Sequence, residues 1–377
     1  VKFMNDSQFD DIRPFHDDEV KSVLKETLND PEFSKTMAAW LAPGLNKKVP
    51  KLVQGFIRLV FKAYLLGVSS IEQFQRKLAP FAGFLVRKSI QEYSVHGLEN
   101  LDPTKAYLFV SNHRDIVMDP AMVNWALYNN GFNTVRIAIG DNLLSKPFSS
   151  NLMRLNKSFI VKRGLKGMKE RLRAAQKLSK YIHYSILEEK ANIWIAQAEG
   201  RAKAGYDKTN SAVIGMFSLS KPKTVNYADY INELNIVPVA ISYELDPTDI
   251  AKARELHAMA EEGNYKKRKN EDMNSIAKGM TGWKGRVHLE FGNVIQGSFE
   301  KDADVALAID EQIYKLYRPF ETNEWAQAML NGESFSATTE AVSQLQARTD
   351  KLNDKIKPFL LKQYANGMRM KKNEGPL

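Results

Sequence analysis

The residues best suited to chemistry lie in one stretch, Ser111-Asn112-His113-Arg114-Asp115-Ile116-Val117-Met118-Asp119-Pro120. Histidine exchanges a proton near neutral pH, so His113 can take the proton of a hydroxyl as that hydroxyl attacks. A carboxylate behind the ring would fix its tautomer and stabilise the imidazolium that forms. Asp119 is the first candidate for that carboxylate and Asp115 the second. The bland alternative is a histidine and an aspartate that merely share a polar loop. The preceding run, Ala106-Tyr107-Leu108-Phe109-Val110, is short, apolar and rich in strand formers, and reads as a buried strand. Asp119-Pro120 reads as a helix start, with Asp at the N-cap and Pro at the first helical position. A strand–loop–helix corner is a place where a base and its orienting acid can meet.

Three later stretches give this corner a context. They are Asn156-Lys157-Ser158-Phe159-Ile160-Val161-Lys162-Arg163-Gly164, Ile193-Trp194-Ile195-Ala196-Gln197-Ala198-Glu199-Gly200-Arg201 and Ile236-Val237-Pro238-Val239-Ala240-Ile241. With the first, and in this order, they resemble the four motif blocks of the glycerolipid phosphate acyltransferase superfamily over roughly residues 93–295. That family carries Asn-His-x4-Asp, whereas here five residues separate His113 from Asp119 and one separates it from Asp115. An extra residue is cheap in a loop, as a bulge or wider turn. It is costly inside a helix, where positions six apart point about 240° apart. Asp119 is therefore preferred, because Pro120 anchors it at a helix start as in the family. Asp115 is the alternative, and a broken pair in a non-catalytic relative is the third reading.

The resemblance implies transfer of a fatty acyl chain from acyl-CoA or acyl-acyl carrier protein to a hydroxyl, with His113 as general base and Asp119 as its orienter. A thioester is already activated, so direct transfer needs no acyl-enzyme. The lack of a Gly-x-Ser-x-Gly elbow and of any cysteine agrees with that. Block two implies Lys162 and Arg163 as contacts to an acceptor phosphate, with Arg163 preferred, and block three implies Arg201. Lys203 adds a fourth cation. A guanidinium pairs with two phosphate oxygens at once. Gly200 would let the backbone approach the ligand, and Glu199 would hold the loop or an arginine. Arg114 is either a further phosphate contact or the ion-pair partner of Asp115. The family's commonest acceptor is 1-acyl-glycerol-3-phosphate, giving phosphatidic acid. The alternative acceptor is glycerol-3-phosphate, used by soluble members that also carry a helical N-terminal domain. An alternative of another class is a catalytically silent membrane- or lipid-binding relative. No cofactor and no metal are expected, since no cluster with ligand spacing, P-loop or Gly-x-Gly-x-x-Gly occurs.

The elements that must position these residues follow from pattern. Strands are expected at 106–110, 134–139, 193–197, 236–243 and 286–291, and helices near 120–130, 166–188, 212–220, 248–262 and 304–317. The alternation predicts an α/β fold, a mostly parallel central sheet flanked by helices. An N-terminal helical region (1–92), a catalytic domain (93–300) and a C-terminal helical extension (301–377) are expected. Within the last, 338–366 reads as one long polar helix and Arg369-Met370-Lys371-Lys372 as a mobile tail. Leu52, Val53, Phe56, Ile57, Leu59, Val60, Phe61, Tyr64 and Leu65 form a broad apolar stripe that suits either a bundle core or a membrane surface.

Composition bounds the partners. With 377 residues and 44% hydrophobic content, the chain can bury a large core. The absence of cysteine excludes disulfides and thiolate chemistry and fits a reducing compartment. The net charge of +10 favours phosphorylated substrates, acidic carrier proteins or anionic lipid. Nucleic acid is not expected, because Lys266-Lys267-Arg268-Lys269 is the one dense basic run and no binding motif surrounds it. No signal peptide and no run of about 18 apolar residues is visible. The expected location is cytoplasmic, peripheral at the inner face of the membrane, not secreted.

Overall fold

The computed structural model describes residues 6–144, 146–268, 271–336 and 339–377. Among these it holds seven strands: β1 (Glu92–His96), β2 (Leu108–Ser111), β3 (Arg136–Gly140), β4 (Ser158–Val161), β5 (Ile193–Ala196), β6 (Ile236–Tyr243) and β7 (Arg286–Phe291). The chain packs as two units, Val1–Phe81 with Arg136–Tyr181, and Ala82–Val135 with Ile182–Leu377.

This division departs from the expected breaks near 92 and 300, and the contacts give the reason. The helix Pro147–Leu155 and β4 belong with the N-terminal helices. Phe148 and Leu155 share a core with Val20, Leu24, Leu28, Phe33 and Phe74. The Ile160 N–H donates to the Ile12 carbonyl at 2.8 Å. The C-terminal helices, in turn, are no separate extension. Trp325, Leu345, Leu360 and Tyr364 share a core with Leu245 and Ala253, which follow β6.

The larger unit carries β1, β7, β6, β2 and β5 in that spatial order. The pairs β1–β7, β6–β2 and β2–β5 are parallel, and β6–β7 is antiparallel. In the smaller unit β3 and β4 pair in parallel. The fold is α/β with a mostly parallel sheet flanked by helices. Strands buried on both faces read as continuous apolar runs. That is the state of Leu108, Phe109 and Val110, all without exposure, and of all eight residues of β6. Pro238 is tolerated inside β6 because its ring nitrogen faces the end of β7. That strand stops at Phe291, and the Pro238 carbonyl still accepts from Gly292 at 2.8 Å.

Several helices differ from expectation. The helix after β2 spans Met118–Asn129, so Asp119 and Pro120 lie within its first turn rather than at N-cap and N1. The cap comes from Asp115, whose Oδ1 accepts from the Val117 and Met118 N–H groups at 3.0 and 2.9 Å. The expected long helix over 338–366 is two helices, Glu340–Asp350 and Lys357–Lys371, while 337 and 338 lie outside the described residues. The break is held by the Asn353 side chain, which accepts from Ile356 N at 3.0 Å. The supposed mobile tail is the end of the second helix, where Met370 is fully buried. Asn210 caps the helix Ser211–Ser218, accepting from Ala212 N at 2.9 Å. Lys269 of the basic run lies outside the described residues, and Lys267 is paired with Asp272 at 2.7 Å.

In the smaller unit the helix Pro50–Tyr64 buries only Ile57 fully. Phe61 packs edge-on to Phe33 with ring centroids 5.2 Å apart. Leu45 on the preceding helix, with Leu52, Phe56 and Leu59 of this one, is 61–74% exposed. Among the described residues no helix is long and apolar enough to cross a membrane.

Candidate active site

The corner after β2 is built by hydrogen bonds from every element around it. Ser111 ends β2, and the next residue, Asn112, is fully buried. Its side chain accepts from Ile241 N at 2.7 Å and donates to the Ile241 carbonyl at 2.9 Å. Asn112 therefore continues the sheet's pairing with β6 through a side chain and fixes where the next residue begins.

His113 Nδ1 lies 2.7 Å from Asp119 Oδ2. The same oxygen accepts the backbone N–H groups of Arg114 at 2.6 Å and Asp115 at 2.9 Å. The Tyr243 hydroxyl, from the end of β6, donates to Asp119 Oδ1 at 2.7 Å. Asp119 is completely buried. Burial alone would raise its pKa, but the hydrogen bond and charge of His113, with the other donors, hold it below the usual carboxylate value. An ionised Asp119 can only accept, so Nδ1 carries the proton, and in the neutral ring the lone pair is then on Nε2. Among the described residues Nε2 has no hydrogen-bond partner. The ring meets Trp194 of β5 edge-on, centroids 5.5 Å apart. The extra residue between His113 and Asp119 is thus absorbed in the loop, whose two successive N–H groups point at the carboxylate.

Asp115 does not reach the ring. It caps the helix through Oδ1, while Oδ2 is buried without a hydrogen-bond partner. Burial, then the neighbouring Asp119 charge, push its pKa up. Arg114 is buried and does not pair with Asp115. Its guanidinium grips both oxygens of Asp207, Nη2 to Oδ2 at 2.5 Å, and donates to the Gly205 carbonyl at 3.2 Å. Asp207 also accepts from Asn112 at 3.0 Å. Lys252, buried on the helix Asp249–Glu262, donates to the Arg114 carbonyl at 2.7 Å and pairs with Asp246.

The loop after β5 is fastened to the same corner. The Ala202 N–H donates to the His113 carbonyl at 2.9 Å, which brings Gly200, Arg201 and Lys203 beside the histidine. Gly200 has φ +79°, a backbone conformation that suits glycine. Arg201 Nη1 is 3.4 Å from Thr248 Oγ1, and Lys203 pairs with Glu255. Glu199 is exposed. Lys162 and Arg163 lie in the smaller unit. There Lys162 pairs with Asp11, and the Arg163 N–H donates to Asp141 Oδ1 at 3.1 Å. Tyr243, Asp207 and Lys252 were not singled out from sequence. They lie 124, 93 and 138 positions from their partners Asp119 and Arg114, and no local pattern marks them.

The site is an imidazole oriented by a carboxylate at the end of a parallel strand, beside a loop bearing two cations, an arrangement able to take a proton from a hydroxyl. Residues 92–242 match the family model described as Acyltransferase. Over that stretch the chain is similar to the acyltransferases the model describes. A solved structure of the 1-acyl-sn-glycerophosphate (LPA) acyltransferase PlsC from Thermotoga maritima is similar over 78% of this chain and 94% of that one, with 13% identity and a TM-score of 0.37. Comparison with curated proteins found no match.

Proposed function

We propose that this acyltransferase moves a fatty acyl chain from a thioester donor, acyl-CoA or acyl-acyl carrier protein, to the free hydroxyl of 1-acyl-glycerol-3-phosphate, giving phosphatidic acid. The observation that carries the reading is the 2.7 Å bond between His113 Nδ1 and a buried, ionised Asp119, which leaves Nε2 as a base. The acceptor hydroxyl gives its proton to Nε2 as its oxygen attacks the thioester carbonyl carbon. Asp119 stabilises the imidazolium so formed. When the tetrahedral intermediate collapses, the C–S bond breaks and the imidazolium returns the proton to the departing thiol.

Arg201 and Lys203, on the loop held to the His113 backbone, are assigned to the acceptor's phosphate, with Gly200 allowing close approach and Glu199 holding the loop. Lys162 and Arg163 enter the same role from the order of the motif blocks. For Lys162 this means exchanging Asp11 for a phosphate. The exposed face of Leu45, Leu52, Phe56 and Leu59, flanked by Lys47, Lys48 and Lys51, supports peripheral seating on an anionic membrane at its cytoplasmic side. No cofactor takes part in this scheme.

The test is thiol release from palmitoyl-CoA and from palmitoyl-carrier protein, with lysophosphatidate and glycerol-3-phosphate offered separately. Lysophosphatidate should stimulate release, and His113→Ala should lower the stimulated rate by about 10²–10⁴-fold. Stimulation by glycerol-3-phosphate alone would reassign the acceptor. Acceptor-independent behaviour with both donors would reject the enzyme and favour a silent lipid-binding protein.

A further inference from the structure

Asp115 caps the helix that carries Asp119 through one oxygen, and among the described residues its other oxygen is buried with no hydrogen-bond partner. What the second oxygen meets is Gly279, buried on the helix Glu271–Thr281. A Cβ at position 279 would sit 1.9 Å from Asp115 Oδ2, 2.7 Å from its Cγ and 2.8 Å from its Oδ1. A second close approach follows where the chain leaves that helix. A Cβ at Gly282 would sit 2.5 Å from the Pro247 Cβ. Pro247 follows Asp246, the partner of Lys252, whose ammonium donates to the Arg114 carbonyl at 2.7 Å. The helix and its exit therefore bear on the corner at two points.

A glycine inside a helix is destabilising relative to alanine. Gly279 has no positive φ, so its conformation gives no reason for it. Space does, because any side chain at 279 would overlap the Asp115 carboxyl in its capping position. Asp115 also supports the pair through its backbone. Its N–H donates to Asp119 Oδ2 at 2.9 Å, the oxygen that lies 2.7 Å from His113 Nδ1. Gly279 to Asp115, Asp115 to Asp119 and Asp119 to His113 is thus an unbroken series of contacts. We propose that Gly279 is a positioning residue for His113. Its missing side chain lets the helix Glu271–Thr281 seat the Asp115 carboxyl, and the loop so fixed aims its N–H groups at Asp119. This rests on the reading of His113 as the base.

An alanine at 279 would put two groups in one space. Either the carboxyl leaves the Val117 and Met118 N–H groups, or the helix lifts from the corner. The carboxyl can turn about χ1, whereas the helix is followed at once by the tight contact of Gly282 on the Pro247 ring. The carboxyl therefore gives way and the cap is lost. Serine at 115 removes the contested oxygen and still accepts from the same N–H groups through its hydroxyl. Alanine at 115 makes the same room and offers no acceptor.

The experiment compares Gly279→Ala, Asp115→Ser, Asp115→Ala and the two double variants in the full-length protein by steady-state kinetics, urea midpoints and proton NMR. The NMR readout is the far-downfield Nδ1–H signal of a ring bonded to a carboxylate, assigned by its loss in His113→Ala. Gly279→Ala should lower kcat by roughly 10–10²-fold, the scale on which a misplacement of about 1 Å acts, with KM for the acceptor little changed. It should also broaden or remove the downfield signal. Gly279→Ala with Asp115→Ser should recover most of the rate and the signal, while Gly279→Ala with Asp115→Ala should not. Wild-type kcat and an intact signal in Gly279→Ala, or equal recovery with serine and alanine, would overturn the proposal. A lower urea midpoint with kcat unchanged would make Gly279 a packing residue and overturn it too. Should Gly279→Ala fail to fold, the two double variants, each compared with its own Asp115 single variant, decide in the same way. Loss of the signal in Gly279→Ala and its return with serine, in a protein whose wild type shows no acceptor-dependent transfer, would uphold the role of Gly279 and reject only the acyl-transfer reading.

Discussion

Asp119 receives four hydrogen bonds, from His113, two backbone N–H groups and Tyr243, and these favour its charged form beside the histidine. Two outcomes follow at this scale. Asp119→Asn should lower acceptor-dependent turnover by about 10²-fold or more, whereas Asp115→Asn, which keeps its cap to Val117 and Met118, should be mild near pH 8. Steady-state kinetics of the two variants decide this, and equal losses would reject Asp119 as the orienter. The second outcome concerns acid. A carboxylate whose folded pKa lies below its unfolded value contributes stability above the unfolded value, about pH 4, and loses it as pH falls through the folded value. The stability difference between wild type and Asp119→Asn should therefore shrink as pH is taken from about 5 to about 2, read from urea midpoints at each pH. The histidine and its preferred aspartate were legible because strand, loop and proline surround them in one short stretch. Asp207, Tyr243 and Lys252 were not, because a buried polar contact between distant segments leaves no periodicity or spacing to read.

At the scale of elements, the segments read correctly were those whose environment is uniform along their length. β2 and β6 are buried throughout and show as apolar runs. β1 was missed. Among the described residues it pairs only with β7, both of its ends are exposed, and Glu-Tyr-Ser-Val-His carries no apolar run. The C-terminal helix was misjudged for a related reason. Its polar face reaches solvent, while its other face supports the site: the Met370 sulfur accepts from Asp207 N at 2.9 Å, and the Asn366 amide donates to the Ala204 carbonyl at 2.8 Å. Gly205 sits in this contact with φ +73°, and a Cβ there would overlap the Gln363 carbonyl. Gly205→Ala should cost more than about 1 kcal/mol in a urea melt, because both the conformation and the space forbid a side chain. It should also reduce turnover, since the loop holding Arg201 and Lys203 would shift. Unchanged stability would mean the C-terminal helix does not brace that loop.

At the scale of the molecule, a net charge of +10 and an exposed apolar face on the N-terminal helices suit association with anionic lipid. Replacing Leu52, Phe56 and Leu59 together by serine should abolish most co-sedimentation with phosphatidylglycerol vesicles at moderate salt while leaving the urea midpoint nearly unchanged, because these side chains are already in water. Retained sedimentation would move the contact to another face. The hydrogen bond from Ala202 to the His113 carbonyl has a separate consequence for how such a protein can be rebuilt. The segment that would choose the acceptor hangs from the backbone of the residue that would activate it. A chimera exchanging residues 199–205 alone would put a foreign loop under strain at the histidine and lose rate along with selectivity. Selectivity should therefore drift by side-chain replacement on a loop of constant length, and the smallest segment that can be transplanted intact is the pair of corners together.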